Sequence, residues 1–352
     1  MRVFRLLSLL PLLGMLAACS DGGDSTATNT AGPTVVLSTI PPSVPPPSTI
    51  PPSTIAATTT TIPVAVFPLT GLPVNGIATA TRPALVAKID NATGAIPQTG
   101  FNAADLVYEE IVNDNITRFA MVFHSADSDP VGPCRSGRIQ DIDLFGSLNG
   151  PLFVWSGGNE NVTRRIDNSD LVNLGPNHAP VYFRSNVHEA PHNLYTKTSE
   201  IYTYAPPESQ PPPQQFQFRD AAEAIGGVPS TGVHIEMDRY LIDWTWNAAT
   251  GLYERMQNGK AQIDDGTDSV ITTHNVVVLA MVYIGAGSPN AQSVGTGEAF
   301  IFTGGNYIHG TWTRADRLQP FTLTDDSGNP IKLTPGRSFI ELPRLDKTTP
   351  AP

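Results

Sequence analysis

DLVYEEI, at residues 105–111, is a short apolar run framed by turn residues, and it sets the pattern for the first half of the chain. Runs of this length, rich in aliphatic and aromatic side chains, predict β-strands. Three further runs of this kind are LVAKI (85–89), FAMVF (119–123) and LFVW (152–155). Before the last of these, IQDIDLF (139–145) has apolar residues at helical spacing and predicts a helix.

Two other segments, 194–204 and 219–225, predict helices, and the proline-rich loop 206–213 separates them. Strands and helices are therefore mixed along this part of the chain, which is typical of proteins with both element types in one domain. We expect residues 63–228 to form an N-terminal domain of the α+β or α/β class.

Hairpin signals replace helical ones beyond residue 228. WTW (244–246) and LYER (252–255) flank the turn sequence NAATG, and DDSGN (325–329) is a second turn. The run 275–284 is long and apolar, which predicts a strand buried on both faces. We expect residues 229–345 to form a smaller, mainly β C-terminal domain, followed by a tail at 346–352.

The N-terminus has the pattern of an export signal. Arg2 and Arg5 precede the apolar run Leu6–Leu16, which is too short to span a membrane as a mature helix. The next residues, Leu16-Ala17-Ala18-Cys19, resemble the lipobox of bacterial lipoproteins in all four positions. We expect 1–18 to be a lipoprotein signal peptide and Cys19 to carry the lipid. The alternative is a secretory signal without lipid, in which Cys19 is incidental.

Residues 19–62 are expected to be the lipidated cysteine and a disordered tether. Between 20 and 62, the chain has 8 Pro, 11 Thr and 6 Ser, so these three types fill 25 of 43 positions. Such a composition cannot bury a core, and its proline runs favour polyproline II. The predicted location is therefore outside the cell, with the folded domains held on the outer face of the cytoplasmic membrane by lipid.

Charge and cysteine content exclude several classes of protein. The formal net charge is −11, from 21 basic and 32 acidic residues, which argues against a nucleic-acid partner because phosphate binding needs a basic face. Beside Cys19 the chain has one other cysteine, Cys134, so no disulfide can form within the mature protein. We expect Cys134 to be a buried packing residue rather than a nucleophile.

One stretch matches a zinc-protease motif by its letters. His188-Glu189-Ala190-Pro191-His192 fits H-E-x-x-H, but that motif needs a helix to bring both imidazoles to one ion, and proline disfavours a helix interior. No complete nucleophile elbow, phosphate loop or dinucleotide fingerprint is found in the sequence. We therefore expect no metal site, no cofactor and no familiar catalytic template.

Arginine is the residue type that points to a site, since 16 of the 21 basic residues are Arg. Arg118 precedes a predicted strand, and Arg135 and Arg138 lie just before the predicted helix at 139. Guanidinium groups bind carboxylate or phosphate in bidentate fashion, so these residues predict an anion-binding corner. The alternative is that each arginine pairs with a nearby carboxylate: Asp105, Glu109, Glu110 or Asp141.

A second group of polar residues follows downstream. Arg184 comes before a loop, and His192 and Asn193 lie where that loop meets the predicted helix 194–204. Asn193 is expected to cap this helix, which would direct His192 beyond the helix end. The site residues predicted to bind ligand are Arg118, Arg135, Arg138, Arg184, His192, Asn193 and Glu109.

Several short motifs also stand out by their order along the chain. They are RP (82–83), KIDN (88–91), PQTG (97–100), ADLVYE (104–109), ITRF (116–119), GPCRSGR (132–138), APHN (190–193), NVVV (275–278), GTW (310–312) and PG (335–336). Together they resemble the YerB-like bacterial lipoproteins over about residues 68–343. The resemblance implies a lipid-anchored envelope protein with an N-terminal and a C-terminal domain, and it implies no reaction.

Three positions depart from that family's pattern. Asn113 stands where Glu is expected, Cys134 where an aliphatic residue is usual, and Gln262 where His commonly occurs. The first and third departures argue against an essential acid or base at those positions. The second agrees with a packing role for Cys134.

These observations favour a non-enzymatic envelope module that binds an anionic ligand, either a wall fragment or an acidic peptide. A second hypothesis is a hydrolase or transferase that acts on wall polymer, with His192 as base and Glu109 as its partner. A third is an assembly factor whose β domain docks on another envelope protein. A carboxylate within hydrogen-bond reach of His192 in an open cleft would favour the enzyme. A purely basic cleft, with Glu109 paired to arginine, would favour the binding module.

Overall fold

The computed structural model describes residues 65–74 and 78–352. The predicted signal peptide, Cys19 and the tether lie outside these residues. Within the described residues, the three longest apolar runs of the N-terminal half form buried strands, as their composition predicts.

The N-terminal half contains both strands and short helices. Its strands are β1 (Leu85–Asp90), β2 (Leu106–Ile111), β3 (Thr117–Phe123), β4 (Leu152–Val154), β5 (Val172–Asn173), β6 (Phe183–Arg184) and β7 (Leu194–Tyr195). Its helices are α1 (Gln140–Phe145), α2 (Glu160–Asp167) and α3 (Thr198–Tyr202), with 3₁₀ turns at Ala78–Thr81, Thr93–Ala95, Asn113–Asn115 and Gly146–Leu148.

The C-terminal half is built from strands. They are β8 (Val228–Pro229), β9 (Gly232–Met237), β10 (Tyr240–Asn247), β11 (Leu252–Gln257), β12 (Lys260–Ala261), β13 (Ile263–Asp264), β14 (Ser269–Val270), β15 (Thr272–Thr273), β16 (Asn275–Leu279), β17 (Tyr283–Ile284), β18 (Asn290–Ala291), β19 (Gly295–Thr303), β20 (Asn306–Arg314), β21 (Thr322–Asp325), β22 (Ser338–Leu342) and β23 (Thr348–Ala351).

Strands from both halves join in one mixed sheet, in the order β21-β20-β19-β16-β22-β2-β3-β1-β4-β5, with β8 paired to β20. The link is β22, which lies parallel to β2 on one side and parallel to β16 on the other. All five residues of β22 are buried, which suits a central position. The predicted fold class is confirmed: an α+β N-terminal part is followed by a mainly β C-terminal part.

A smaller sheet packs on one face of the large one. Its order is β12-β11-β10-β9-β23, with β15 paired to β11. Buried residues of this sheet, among them Trp244, share an apolar cluster with Phe119 and Phe339 of the large sheet. The opposite face of the large sheet packs against α1 and α2 through a second cluster that includes Phe145 and Ile166. The large sheet is thus the middle of three layers.

Four local expectations differ from the structure. Residues 219–225 form turns rather than a helix, and 194–204 divides into β7 and the short α3. The run 275–284 is interrupted between β16 and β17. The expected tail contains β23, which pairs with β9 because that strand presents a free edge. No helix of the described residues is long and apolar enough to cross a membrane.

Candidate functional site

A polar cavity of about 700 Å³ lies beside the loop that joins β3 to α1. We call it the arginine pocket. It is lined by Asn113, Arg135, Ser136, Gly137, Arg138, Ser156, Gly157, Gly158, Asn159, Val162, Pro176, Arg184, Pro191, Leu194, Gly287 and Ser288. Three of the predicted arginines therefore meet here, and these lining residues include no Asp or Glu.

Backbone hydrogen bonds hold the loop 135–138 in place. The amide of Arg135 donates to the carbonyl of Lys88 (2.8 Å), and the amide of Gly137 donates to the carbonyl of Gly157 (3.1 Å). A Cβ at Gly137 would lie 2.7 Å from a ring carbon of Trp155, so only glycine fits there. The loop is thus fixed between the end of β1 and the segment after β4.

Arg118 lies on β3 beneath this loop and is 5% exposed. Its Nη1 donates to the carbonyl of Ser136 (2.7 Å), while its Nε is buried without a hydrogen-bond partner. Burial lowers the pKa of Arg118 to about 10, and the nearby charges of Arg138 and Arg135 act in the same direction. A buried guanidinium with lowered pKa and an unused donor gains from a nearby anion.

Arg138 reaches into the same region. Its Nη1 donates to the carbonyl of Gly137 (2.9 Å), and its Nη2 donates to the side-chain oxygen of Asn113. Burial lowers its pKa from the usual value. Asn113 is the position where the family resemblance leads us to expect Glu, and its amide leaves the charge of Arg138 without a contacting counterion.

The alternative that each arginine pairs with a nearby carboxylate is wrong for Arg118 and Arg138, and Arg184, for which no carboxylate partner was predicted, is like them. None of these three takes part in an ion pair with a described residue. The four carboxylates that were expected to pair with the arginines are occupied elsewhere, as the next contacts show.

Lys88 holds two of those carboxylates. Its Nζ contacts Glu110 and lies 2.8 Å from Asp141, and all three side chains are buried. Burial and the charge of Asp141 raise the pKa of Glu110 to about 7, against the opposing effect of Lys88. Asp105 instead accepts hydrogen bonds from the backbone amides of His124 (2.6 Å) and Ser125 (2.7 Å).

Glu109 is fully buried between the two sheets and does not reach the arginine pocket. It contacts Arg255, accepts a hydrogen bond from Thr117 (2.5 Å), and neighbours Glu341. Burial and the charge of Glu109 hold the pKa of Glu341 well above its usual range. The predicted ligand-binding role of Glu109 and its partnership with His192 are therefore wrong, because its carboxylate is used to join the sheets.

The carboxylate that contacts His192 is Asp90, at the end of β1. His192 Nδ1 lies 2.7 Å from Asp90 Oδ2, and Arg135 Nε lies 3.0 Å from the same oxygen in an ion pair without hydrogen-bond geometry. The other oxygen of Asp90 accepts from the amide of Ala92 (3.1 Å). Sequence reasoning missed Asp90, although the polar pair Asp90-Asn91 at the end of an apolar strand was a usable signal.

His192 itself is not among the lining residues of the pocket. Its ring packs against Gly94, where an added Cβ would lie 3.0 Å from the ring carbon Cδ2. Through Asp90, His192 supports the position of Arg135. The structure thus places it beside the pocket rather than inside it.

The predicted helix cap at Asn193 is wrong. Helix α3 begins at Thr198, and the side chain of Asn193 instead accepts from Arg184 Nη1 (2.8 Å) and donates to the carbonyl of Ser185 (3.2 Å). Because β6 and β7 form a hairpin here, the segment between them makes turns rather than a helix start. Asn193 therefore orients the exposed Arg184 at the rim of the pocket.

The histidines of the H-E-x-x-H stretch and Cys134 make contacts that fit structural roles. His188 Nε2 lies 2.8 Å from the carbonyl of Pro97 in a loop, so His188 and His192 do not share a helix face. Among the described residues, no group of three or more His, Cys, Asp or Glu side chains could hold a metal ion. Cys134 is buried, and burial raises the pKa of its thiol to about 12, which agrees with packing.

The fold and the pocket define a β-rich protein with two sequence domains and a basic, small-molecule-sized cavity. The chain belongs to the family described as protein of unknown function (DUF3048), whose N-terminal domain matches residues 69–210 and whose C-terminal domain matches residues 233–340. The family resemblance found in the sequence is thereby confirmed.

Two comparisons concern one relative from Bacillus subtilis. The protein of strain 168 named "Putative lipoprotein YerB" is 25% identical over 284 residues, which cover 76% of this chain and 83% of that protein. The crystal structure of the YerB protein from Bacillus subtilis matches with a TM-score of 0.72 and 22% identity, over 82% of this chain and all of that one. The structural match supports the fold.

Proposed function

We propose that this protein is a lipid-anchored envelope protein that binds an anionic ligand, either a wall fragment or an acidic peptide, in the arginine pocket. The lipobox ending at Cys19 and the name of the Bacillus subtilis relative support the lipoprotein class. The proposed location is the outer face of the cytoplasmic membrane. The proposed partners are the membrane, through the lipid on Cys19, and the anionic ligand.

The observation that carries the binding proposal is positive charge without a contacting counterion. Arg118 and Arg138 are largely buried side by side, and neither forms an ion pair with a described residue. Burying a charge without a counterion is costly, and two like charges close together add to that cost. An anion in the pocket would contact Arg138, which lines it, and would act on the charge of Arg118 at longer range, because Arg118 is not among the lining residues.

A hydrolase or transferase is the second candidate function, and the contact between His192 and Asp90 favours it. A carboxylate on Nδ1 can orient an imidazole so that Nε2 acts as a general base. The ring of His192, however, packs against Gly94 and is not among the residues that line the pocket. We therefore place binding first.

Thermal melting of the mature protein in detergent, with and without sulfate, tests the binding proposal. A site filled to 100 times its dissociation constant adds about 2.7 kcal/mol to the free energy of unfolding. We expect Arg138→Gln to reduce the sulfate-induced shift strongly. The matched control Arg165→Gln removes the same charge from an exposed position on α2, outside the pocket lining, and should leave the shift unchanged.

An equal shift in Arg138→Gln and the unsubstituted protein would overturn the proposal. Incubation with digested cell wall, followed by mass spectrometry of the fragments, separates the two candidate functions. A binding protein retains fragments of unchanged mass. An enzyme changes their masses, and His192→Gln would abolish that change.

A further inference from the structure

The arginine pocket contains serine residues with unpaired hydroxyl groups as well as charged arginines. Ser136, Ser156 and Ser288 line it, and their hydroxyl groups make no hydrogen bond to any described residue. Ser136 and Ser156 are half-buried and Ser288 is exposed. Free hydroxyls in a cavity wall can both donate to and accept from a polar ligand. The pocket is therefore equipped for a ligand with hydroxyl groups in addition to an anionic group.

The composition of the lining disfavours a nucleotide. Proteins commonly hold nucleobases by stacking them on aromatic side chains. The described lining residues include no Phe, Tyr, Trp or His. Trp155 lies directly behind Gly137 and Gly158 but is only 1% exposed, so its ring is closed off from the cavity.

The architecture of the lining also disfavours an extended acidic peptide. Extended peptides are usually recognised through the free edge of a sheet, which supplies regular backbone hydrogen bonds. The edge strand β5 of the large sheet contributes no lining residue, and the β6-β7 hairpin contributes only Arg184 and Leu194, which pair with each other. Most of the wall is loop, with apolar surface from Val162 of α2 and Leu194 of β7, and the described lining contains no strand longer than two residues to hold an extended peptide.

The volume of about 700 Å³ lies within the range of about 300–1,000 Å³ that is typical of small-molecule sites. We propose that the ligand is a hydroxyl-rich phosphate or carboxylate, that is, an anionic sugar or polyol. This inference rests on the proposed anion-binding function. The guanidinium group of Arg138, which lines the pocket, holds the anionic group, and the serine hydroxyls hold the hydroxyl groups of the ligand.

Calorimetric titration of the mature protein in detergent tests this ligand class with four probes. They are inorganic phosphate, glycerol 3-phosphate, neutral glycerol and a triglutamate peptide. We expect glycerol 3-phosphate to bind about tenfold more tightly than inorganic phosphate, the gain that one or two added hydrogen bonds supply. Glycerol should not bind, and triglutamate should bind more weakly than glycerol 3-phosphate.

Two variants locate the interaction. The double substitution Ser156→Ala with Ser288→Ala should lower the affinity for glycerol 3-phosphate to that for inorganic phosphate and leave phosphate binding unchanged. Ser327→Ala is the matched control, because Ser327 is exposed in the turn after β21, outside the lining. Arg138→Gln should weaken both phosphate compounds.

The outcomes distinguish the two proposals. If triglutamate binds as tightly as glycerol 3-phosphate, or if inorganic phosphate and glycerol 3-phosphate bind equally, the ligand class is wrong while anion binding stands. If none of the charged probes binds, anion binding itself is wrong. If the serine variants lose phosphate and glycerol 3-phosphate affinity alike, the hydroxyl groups do not select the ligand and the inference fails.

Discussion

Arg135 and Arg138 lie three residues apart, yet their substitution should have different consequences for stability. Arg135 pairs with Asp90, whose side chain is 1% exposed, whereas Arg138 contacts carbonyl and amide oxygens. We therefore predict that Arg135→Gln lowers the free energy of unfolding, while Arg138→Gln changes it little. The comparison separates Arg135, which stabilises the fold through an ion pair with Asp90, from Arg138, whose charge has no contacting counterion.

The size of the effect follows from what remains around Asp90. Removing one partner of a fully buried ion pair costs about 3–5 kcal/mol. The side chain of Arg135 is 27% exposed, and Asp90 keeps its contacts with His192 and the amide of Ala92. We therefore expect the loss in Arg135→Gln to be about 1–2 kcal/mol, below the fully buried range.

For Arg138→Gln, two effects oppose each other. The variant loses hydrogen bonds worth about 0.5–1.5 kcal/mol each, but it removes a positive charge that acts against Arg118. The net change should be within about 1 kcal/mol of zero. The expected order is thus a clear loss for Arg135→Gln and a small change of either sign for Arg138→Gln.

Urea denaturation followed by tryptophan fluorescence measures both variants, with Arg165→Gln as the control for loss of a surface charge. The slope of the transition should not change, since the surface exposed on unfolding is the same. A loss in Arg138→Gln equal to that in Arg135→Gln would refute the reasoning. It would mean that Arg138 neutralises a buried carboxylate and that the pocket has no spare charge.

The remaining predictions concern the anchor, the tether and a buried acid. Cys19→Ala should leave unprocessed precursor or release the protein from the membrane fraction, and unchanged detergent partitioning would contradict this. Limited proteolysis should leave a core beginning near Pro63, whereas a core that begins before Val35 would show that the tether packs on the domains. Because burial raises the pKa of Glu110 from 4.5 to about 7, its folded form holds a proton that the unfolded form releases between these values. Glu110 should therefore make the free energy of unfolding fall by at most about 3 kcal/mol as the pH rises through that window. Urea titrations at pH 5 and pH 8 measure this fall, and Glu110→Gln should remove it.

The strands of the N-terminal half were predictable because their signal is local. β1, β2 and β3 are near-continuous apolar runs, and such runs are typical of strands covered on both faces. The position of β22 was not predictable in this way. Its pairing joins Leu106 to Ser338, and no local pattern encodes a contact between residues so far apart in the chain.

The residues of the candidate site could likewise be predicted where the signal is local, but their contacts with distant residues could not. The arginines of 135–138 were recognisable from residue type and from their place before a helix. Their partners were not, because Glu110 and Asp141 contact Lys88, and Asp105 accepts hydrogen bonds from backbone amides. Glu109 is taken by Arg255, which lies in the other half of the chain, and the asparagine at 193 is used by a hairpin rather than a helix.

Lys88 gives a physical reason for the spare charge in the pocket. Lys88 lies on β1, which pairs with β3, the strand that carries Arg118. Its side chain is fully buried and contacts both Glu110 and Asp141. Those two carboxylates act at longer range on Arg138, yet neither forms an ion pair with its guanidinium. A buried lysine thus occupies the counterions that would otherwise neutralise the arginine, and the arginine remains available to an anion from outside. The same arrangement explains why the chain can carry a net charge of −11 and still present a basic pocket: the position of each acid, rather than the total charge, decides which cations stay unpaired.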